Sequence, residues 1–266
     1  MTLIIAYIIS ILIGFTLGIL GGGGSILTVP LLVYVIGVAP VTATVYSLFI
    51  VGITSLIGAY SFFRAGLVNL KLAMVFGLPS LFAVLMTRIY VLPSVPEHLF
   101  KIGDTAITKS MGLMILFAFL MIFSSFSMIR GRNLSKVDAN EKTKKFTYST
   151  IWLQGLLEGS LTGLVGAGGG FLIIPALVVF SKIPIKNAIA TSLTIISVKS
   201  LLGFTAEPSS TVIDWTLMLS LAVCSVIGIM LGTRLSKNIN SDLLKPSFGY
   251  FVLVMGIVVL VKELLL

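Results

Sequence analysis

Charged residues are scarce in this sequence. Asp, Glu, Lys and Arg make up only 10% of its 266 residues, whereas an average soluble domain carries about 25%. The first charged residue is Arg64, and hydrophobic residues make up 57% of the chain. A soluble domain could not hide this much apolar surface from water, whereas a bilayer is itself an apolar exterior. The composition therefore predicts an all-α, polytopic membrane protein.

Cysteine and histidine are also nearly absent, since the chain has only Cys224 and His98. A lone cysteine excludes a disulfide within the chain, and these two residues make a zinc or haem site improbable. The sequence has no paired histidines and no Ser-His arrangement of the kind that indicates an enzyme. No Gly-Lys-Ser/Thr follows its glycines, so it has no nucleotide-binding P-loop. We expect no catalytic residues, no cofactor and no metal.

The net charge is +9, which in a soluble protein would suggest a nucleic-acid partner. Here the basic residues fall mostly in short loops between apolar runs. In that position they act as topology signals and contact lipid headgroups. We therefore expect membrane lipids, and not nucleic acid, to contact these charges.

The sequence contains an internal duplication. At an offset of 145 residues, GILGGGGSILTVPLLV at 18–33 aligns with GLVGAGGGFLIIPALV at 163–178, and eight of sixteen positions are identical. The register continues without a gap, so that Ser47 aligns with Ser192. Chance similarity between apolar segments would not hold glycines, proline and serines in one register. The chain therefore consists of two copies of one unit.

Basic residues predict that the two copies are inverted. A basic linker at 130–146 separates a first membrane repeat, 1–129, from a second, 147–266. If this linker is cytoplasmic, inversion puts thirteen basic residues inside and four outside, whereas parallel repeats give nine and eight. Basic residues favour the cytoplasmic side, so we predict inverted repeats with both termini outside. The four outer cations are then Arg88, Lys101, Lys109 and Lys262.

Inversion requires each glycine tract to turn the chain back. Leu3–Leu20 could cross most of a bilayer, but Ile26–Ile36 would form only about 17 Å of helix. The hydrocarbon core is about 30 Å thick, so we predict a re-entrant hairpin broken at glycine, followed by three transmembrane helices, in each half. The predicted hairpin arms are 3–20, 26–36, 149–165 and 171–181. The predicted spans are 41–63, 70–90, 107–129, 187–205, 215–235 and 247–264.

The glycine tracts, 21–24 and 166–170, allow two interpretations. They could serve close helix packing or act as a flexible link, although packing motifs need one small residue per turn and not a run. Alternatively, they could be unwound hinges that expose backbone N–H groups. Half-helices starting near Ser25 and Phe171 would then point their positive ends inward. Two facing copies would line a site for a small anion near the midplane.

Two ionisable residues fall inside predicted membrane segments. Lys199 should face the protein interior, where it could be a counter-charge for an anionic substrate or the partner of Glu158; it could also snorkel toward an interface. Glu158 could accept a proton during transport or pair with Lys199. Lys199 aligns with Thr54, so a site that includes it is asymmetric.

Hydroxyl side chains follow each hairpin. They can replace part of the hydration of an oxyanion, although they more commonly bond back to their own helix. The predicted substrate-binding set combines the tract glycines with these serines and Lys199. Its members are Gly21, Gly22, Gly23, Gly24, Ser25, Ser47, Ser55, Gly166, Gly168, Gly169, Gly170, Ser192, Lys199 and Ser200.

The segments GFTLGILGGGGSILTVPLLV and GSLTGLVGAGGGFLIIPALV resemble the paired signatures of the TauE/SafE family, also called the sulfite exporter family. The resemblance covers nearly the whole chain. It implies a prokaryotic plasma-membrane protein that moves small sulfur-containing anions such as sulfite or organosulfonates. Some similar proteins are assigned to other small organic anions, so the substrate does not follow from it. The match maps onto Gly18, Gly21, Gly23, Gly24, Pro30, Gly163, Gly166, Gly168, Gly169 and Pro175.

The leading hypothesis is a secondary transporter that exports a small anion by alternating access. An ion gradient, of protons or sodium, or the substrate gradient would supply the energy unless a separate ATPase subunit does so. Uptake of the same or another organic anion, and an anion channel, remain open alternatives. A homo-oligomer is compatible with the sequence.

Overall fold

The computed structural model describes residues 2–102, 105–130, 148–166, 169–181, 183–206, 213–236 and 241–265. The predicted linker therefore lies outside the described residues except for Arg130, and so does Gly168. The long helices are α1 (Thr2–Leu20), α2 (Pro40–Arg64), α3 (Leu70–Met86), α4 (Lys109–Arg130), α5 (Tyr148–Val165), α6 (Gly170–Ser181), α7 (Ile185–Thr205), α8 (Trp215–Leu235) and α9 (Ser241–Leu265).

The helices confirm the predicted fold class. Among the described residues, 6 segments are long and apolar enough to cross a membrane. Large apolar side chains cover the outer faces of the helices; Leu78, Phe123 and Leu157 are all more than half exposed. A bilayer removes this surface from water, so the chain is a multi-pass membrane protein.

Short elements join the long helices. Three follow α1: a 3₁₀ helix at Gly21–Leu27, one α-turn at Thr28–Pro30 and a π-helix at Leu31–Ile36. Another π-helix, Thr87–Val91, extends α3 and leads to Leu92–Ser94. An antiparallel hairpin, β1 (His98–Ile102) and β2 (Thr105–Thr108), precedes α4. The prediction did not include this hairpin, although two short β-prone runs around Gly103-Asp104 are a signal for one.

The chain reverses after α1. Gly21 has a φ of +69°, a conformation that glycine adopts without steric cost. The segment 22–36, here called the return arm, then runs back along α1. A Cβ atom on Gly24 would lie 2.6 Å from the carbonyl oxygen of Ile13 and 2.7 Å from the nitrogen of Leu17. Residues 3–36 therefore form the predicted hairpin and not one straight span.

Two helix pairs are held by glycines spaced one turn apart. In the first, α1 and α8 run parallel, with Gly14 against Ile229 and Gly18 against Thr233. In the second, α3 and α5 run parallel, with Gly155 against Phe76, Gly159 against Ser80 and Gly163 against Thr87. Small residues at this spacing let helix backbones approach closely in membranes. The first helix of each half thus packs against a later helix of the other half.

The bundle has two ends. At the end here called the terminal end, Tyr34 in the return arm donates a 2.8 Å hydrogen bond to Glu263 in the last turn of α9. The nitrogen of Asp214, which precedes α8, donates to the hydroxyl of Tyr46 in the first turns of α2 at the same end. At the opposite, linker end, Asn187 near the start of α7 donates to the carbonyl oxygen of Leu67, which precedes α3.

The helix starts are themselves duplicated. The side chain of Asn69 accepts a 3.1 Å hydrogen bond from the nitrogen of Leu72 and caps α3. The side chain of Asp214, 145 residues later, accepts a 3.0 Å hydrogen bond from the nitrogen of Leu217 and caps α8. Such caps satisfy backbone donors that have no partner within the helix. The local sequence therefore fixes where both helices begin.

Candidate anion-binding site

The first glycine tract differs from the predicted unwound hinge. Beyond the turn at Gly21 the chain continues as the 3₁₀ helix Gly21–Leu27, every residue of which is buried. The hydroxyl of Ser25 donates a 2.7 Å hydrogen bond to the carbonyl oxygen of Gly22. The predicted half-helix starting near Ser25 is therefore wrong, because α-helical structure resumes only at Thr28. Tight 3₁₀ turns next to a helix end are common, and glycines let this one pack against α1.

The two tracts meet in the interior. A Cβ atom on Gly22 would overlap the backbone of Gly170, and one on Gly170 would overlap Gly22. The first turn lies against α7, where a Cβ on Gly21 would be 3.1 Å from the hydroxyl oxygen of Ser192. The second turn, at Gly166 with φ of +70°, lies against Thr44 on α2. The sequence prediction that the tracts face each other therefore agrees with this contact.

A cluster of buried polar groups lies beside the second tract. The ammonium group of Lys199 on α7 forms an ion pair with the Oε1 atom of Glu158 on α5. Lys199 is 1% exposed and Glu158 is 5% exposed. The hydroxyl of Thr162 donates to Oε1 at 2.7 Å, and the hydroxyl of Ser80 on α3 donates to Oε2 at 2.6 Å. Three side chains, from three helices, thus converge on the carboxylate of Glu158.

The N-terminus of α6 adds a further favourable group. Gly169 has a φ of +65°, and its carbonyl oxygen accepts the first hydrogen bonds of α6, from Leu172 and Ile173. A Cβ atom on Gly169 would overlap Glu158 and lie 2.7 Å from the Lys199 nitrogen. The carboxylate of Glu158 therefore lies at the positive end of α6, a position that stabilises anions. The surroundings of this carboxylate are those of an anion-binding site.

The aligned positions of the first half do not form such a cluster. Glu158 aligns with Ile13, Thr162 with Leu17 and Lys199 with Thr54. Ile13 and Leu17 are buried apolar side chains, and Thr54 donates back to the carbonyl oxygen of Ile50 at 2.6 Å. The Glu158–Lys199 ion pair of the candidate site thus belongs to the second half alone.

The predicted serines fall into two groups. Ser192 at the first turn donates to its own helix, to the carbonyl oxygen of Ile189, at 2.9 Å. The hydroxyls of Ser47, Ser55 and Ser200 are buried and have no hydrogen-bond partner in the part of the chain that the structure describes. Buried hydroxyls normally find a partner, so these three groups are available to one that the structure does not contain.

Arg88 is a buried cation that the sequence analysis counted among the outer cations, near the end of the predicted span 70–90. It lies in the π-helix Thr87–Val91, is 1% exposed, and its Nη2 atom donates to the hydroxyl of Thr44 at 3.0 Å. Thr44 is the residue that contacts Gly166, so Arg88 stands beside the second turn. The count of Arg88 as an outer topology signal is wrong, because α3 continues through a π-helix and carries Arg88 into the bundle. After a one-residue shift in the duplication, Arg88 aligns with Arg234, which is exposed.

The sequence as a whole is similar to known membrane transporters. The profile of the family described as sulfite exporter TauE/SafE matches residues 6–259. A probable membrane transporter protein of Xylella fastidiosa is 31% identical over 252 residues, covering 94% of this chain and 91% of that protein. A probable membrane transporter protein of Methanocaldococcus jannaschii is 28% identical and covers 94% of both chains. No solved structure matches the chain.

Proposed function

Because this chain belongs to the sulfite exporter TauE/SafE family, we propose that it is a secondary transporter of a small anion in the plasma membrane. The substrate class is a sulfur-containing oxyanion or an organosulfonate, and transport proceeds by alternating access. The observation that carries the proposal is the buried cluster around Glu158 and Lys199. An ion pair inside a membrane protein is costly and commonly marks a substrate or ion pathway.

Glu158 occupies the position that a substrate anion would take. Lys199, the hydroxyls of Ser80 and Thr162, and the N-terminus of α6 all face its carboxylate. These are the groups that bind oxyanions in proteins. When Glu158 takes up a proton, it no longer balances the charge of Lys199. A substrate oxygen then replaces the carboxylate oxygen beside the ammonium group.

Release of the anion reverses the exchange. Glu158 loses its proton and pairs again with Lys199, so one proton moves with each anion. Other buried cations on elements that pack against α5 are Arg88, which donates to Thr44, and Lys109 at the start of α4. A divalent anion with one proton carries one net negative charge, and an inside-negative potential drives that charge outward by about 2.3 kcal/mol per 100 mV. Export is therefore the favoured direction.

The topology is part of the proposal. The linker, 130–146, is placed in the cytoplasm, both termini are placed outside, and the two halves are inverted. Three observations support this arrangement: the parallel pairs α1–α8 and α3–α5, the Tyr34–Glu263 contact at the terminal end, and the basic residues of the linker. Without the buried Arg88 and Lys109, the outer side keeps two cations against thirteen inner ones.

Counterflow in liposomes tests the function. The purified protein is reconstituted, and the exchange of labelled sulfite, thiosulfate, sulfoacetate and lactate is measured. Glu158→Gln, a mimic of the protonated state, should keep exchange but lose the dependence of net flux on a proton gradient. Lys199→Ala should lose both. Thr54→Ala, at the aligned position of the first half, is the matched control and should keep both.

The counterflow results test the proposed site and the proposed substrate class separately. If Lys199→Ala exchanges anions at the rate of the unmodified protein, the proposed site is wrong. If the unmodified protein exchanges none of the three sulfur-containing anions, the proposed substrate class is wrong. Saturable counterflow distinguishes a transporter from a channel, because a channel does not couple the entry of one anion to the exit of another.

A further inference from the structure

A cavity opens at the linker end of the bundle, apart from the Glu158–Lys199 cluster. It has a volume of about 120 Å³ and lies among the ends of α1, α2 and α8 and the start of α7. Ser61, Phe62 and Thr233 form part of its wall, and Ile19 and Ile189 are the least exposed of its lining residues. Lys186 is exposed and lines the opening.

The inner wall of the cavity lies next to the first glycine tract. Ile189 lines the cavity, and its Cα atom would lie 3.2 Å from a Cβ atom on Gly21. The hydroxyl of Ser192 lies at the same turn, 3.1 Å from that position. Ile189 therefore stands between the cavity and the turn at Gly21.

We propose that this cavity is the vestibule through which a small anion enters from the linker end, and that Lys186 captures the anion at its opening. This inference rests on the proposed function and adds a residue and a path to it. One water molecule takes up about 30 Å³ in the liquid, so the cavity holds roughly four waters or one small oxyanion. Drug-sized ligands need pockets of about 300–1,000 Å³, so a cavity of this size suits a small anion.

The charge of the vestibule is one-sided. Lys186 aligns with Val41 in the first half, so duplication does not place a matching cation at the start of α2. A capture site at the linker end alone favours loading from that end. With the linker in the cytoplasm, an anion produced inside the cell would meet Lys186 first.

Cysteine labelling tests the vestibule without knowledge of the substrate. Because Cys224 is the only native cysteine, Cys224→Ser gives a cysteine-free background, into which Ser61→Cys is introduced. The rate at which the Ser61→Cys variant is modified is measured with an anionic thiosulfonate reagent and with a cationic one of similar size. Each rate is divided by the rate of the same reagent with a free thiol in solution. The ratio of the anionic rate to the cationic rate should be about ten at low salt and should fall as salt is added.

Two charge variants decide the outcome. Lys186→Gln should bring the ratio close to one. Arg64→Gln is the matched control, since Arg64 lies at the same end but approaches the ring of Tyr60 at 5.9 Å and does not line the cavity; it should leave the ratio unchanged. Equal rates in the presence of Lys186, or no labelling of Ser61→Cys by either reagent, would overturn the inference. Neither result would affect the counterflow test of Lys199, so the two proposals fail separately.

Discussion

Gly22 and Gly170 touch backbone to backbone where the two glycine tracts meet. A Cβ atom on either residue would overlap the main chain of the other. The contact joins the return arm of the first half to the N-terminus of α6 in the second. Because backbone and not a flexible side chain stands in the way, neither partner can move aside without shifting a helix.

We expect Gly22→Ala to destabilise the protein and abolish transport. Overpacking a filled interior costs about 1–3 kcal/mol and sometimes more. Gly77→Ala is the control, since a Cβ at Gly77 would make an ordinary contact, 3.4 Å from Ile195. Thermal unfolding in detergent and counterflow in liposomes measure the two effects. If Gly22→Ala is as stable and as active as Gly77→Ala, the contact does not limit the distance between the tracts.

Removing one member of the ion pair should destabilise the protein, and removing both members should restore its stability. Lys199→Met leaves Glu158 buried without its partner, which should cost about 3–5 kcal/mol of unfolding free energy. Adding Glu158→Leu removes the uncompensated charge, and stability should return close to that of the unmodified protein. Transport should be absent in both variants. Thermal unfolding and counterflow measure these quantities together, and a double variant that transports anions would show that the pair is not part of the site.

Arg88 and its aligned residue, Arg234, should respond differently to the same substitution. Arg88→Gln removes a buried charge that donates to Thr44 beside Gly166, so the KM for the anion should rise by at least about tenfold if the guanidinium contributes one charge-assisted contact. Arg234→Gln changes an exposed side chain and should leave KM unchanged. Initial rates of uptake into liposomes give KM and kcat separately. Equal effects of the two substitutions would mean that burial of Arg88 has no role in binding.

The inverted arrangement can be tested at two matched positions. Ala65 follows α2 and Ala206 follows α7, and each is the C-cap of its helix with almost the same dihedral angles. Inverted halves put the two residues on opposite sides of the membrane, whereas parallel halves put them on the same side. In the Cys224→Ser background, Ala65→Cys and Ala206→Cys should therefore react with an impermeant thiol reagent from opposite sides. Reaction of both from one side would contradict the inverted topology.

The predictions from sequence succeeded where the signal is local or periodic. The short arm after Gly21 carries its information within a few residues, and the structure agrees with it. The π-helix at Thr87–Val91 has no such signal, and for that reason Arg88 was counted as an outer cation and not recognised as buried. The 3₁₀ helix at Gly21–Leu27 was missed because a run of glycines is compatible with many backbone conformations.

The sequence by itself determined the membrane fold class, the duplication and the charge bias, because hydropathy, register and basic residues need no knowledge of contacts. Only the tertiary structure decided what the tracts and the charges do. Sequence reasoning left Glu158 open as the partner of Lys199 or as a proton acceptor, and packing brought both side chains to the N-terminus of α6. It also brought Gly22 against Gly170, more than a hundred residues away. The physical reason is that long-range contacts depend on how helices cross, and in a bilayer small residues such as Gly18 and Gly163 set those crossings.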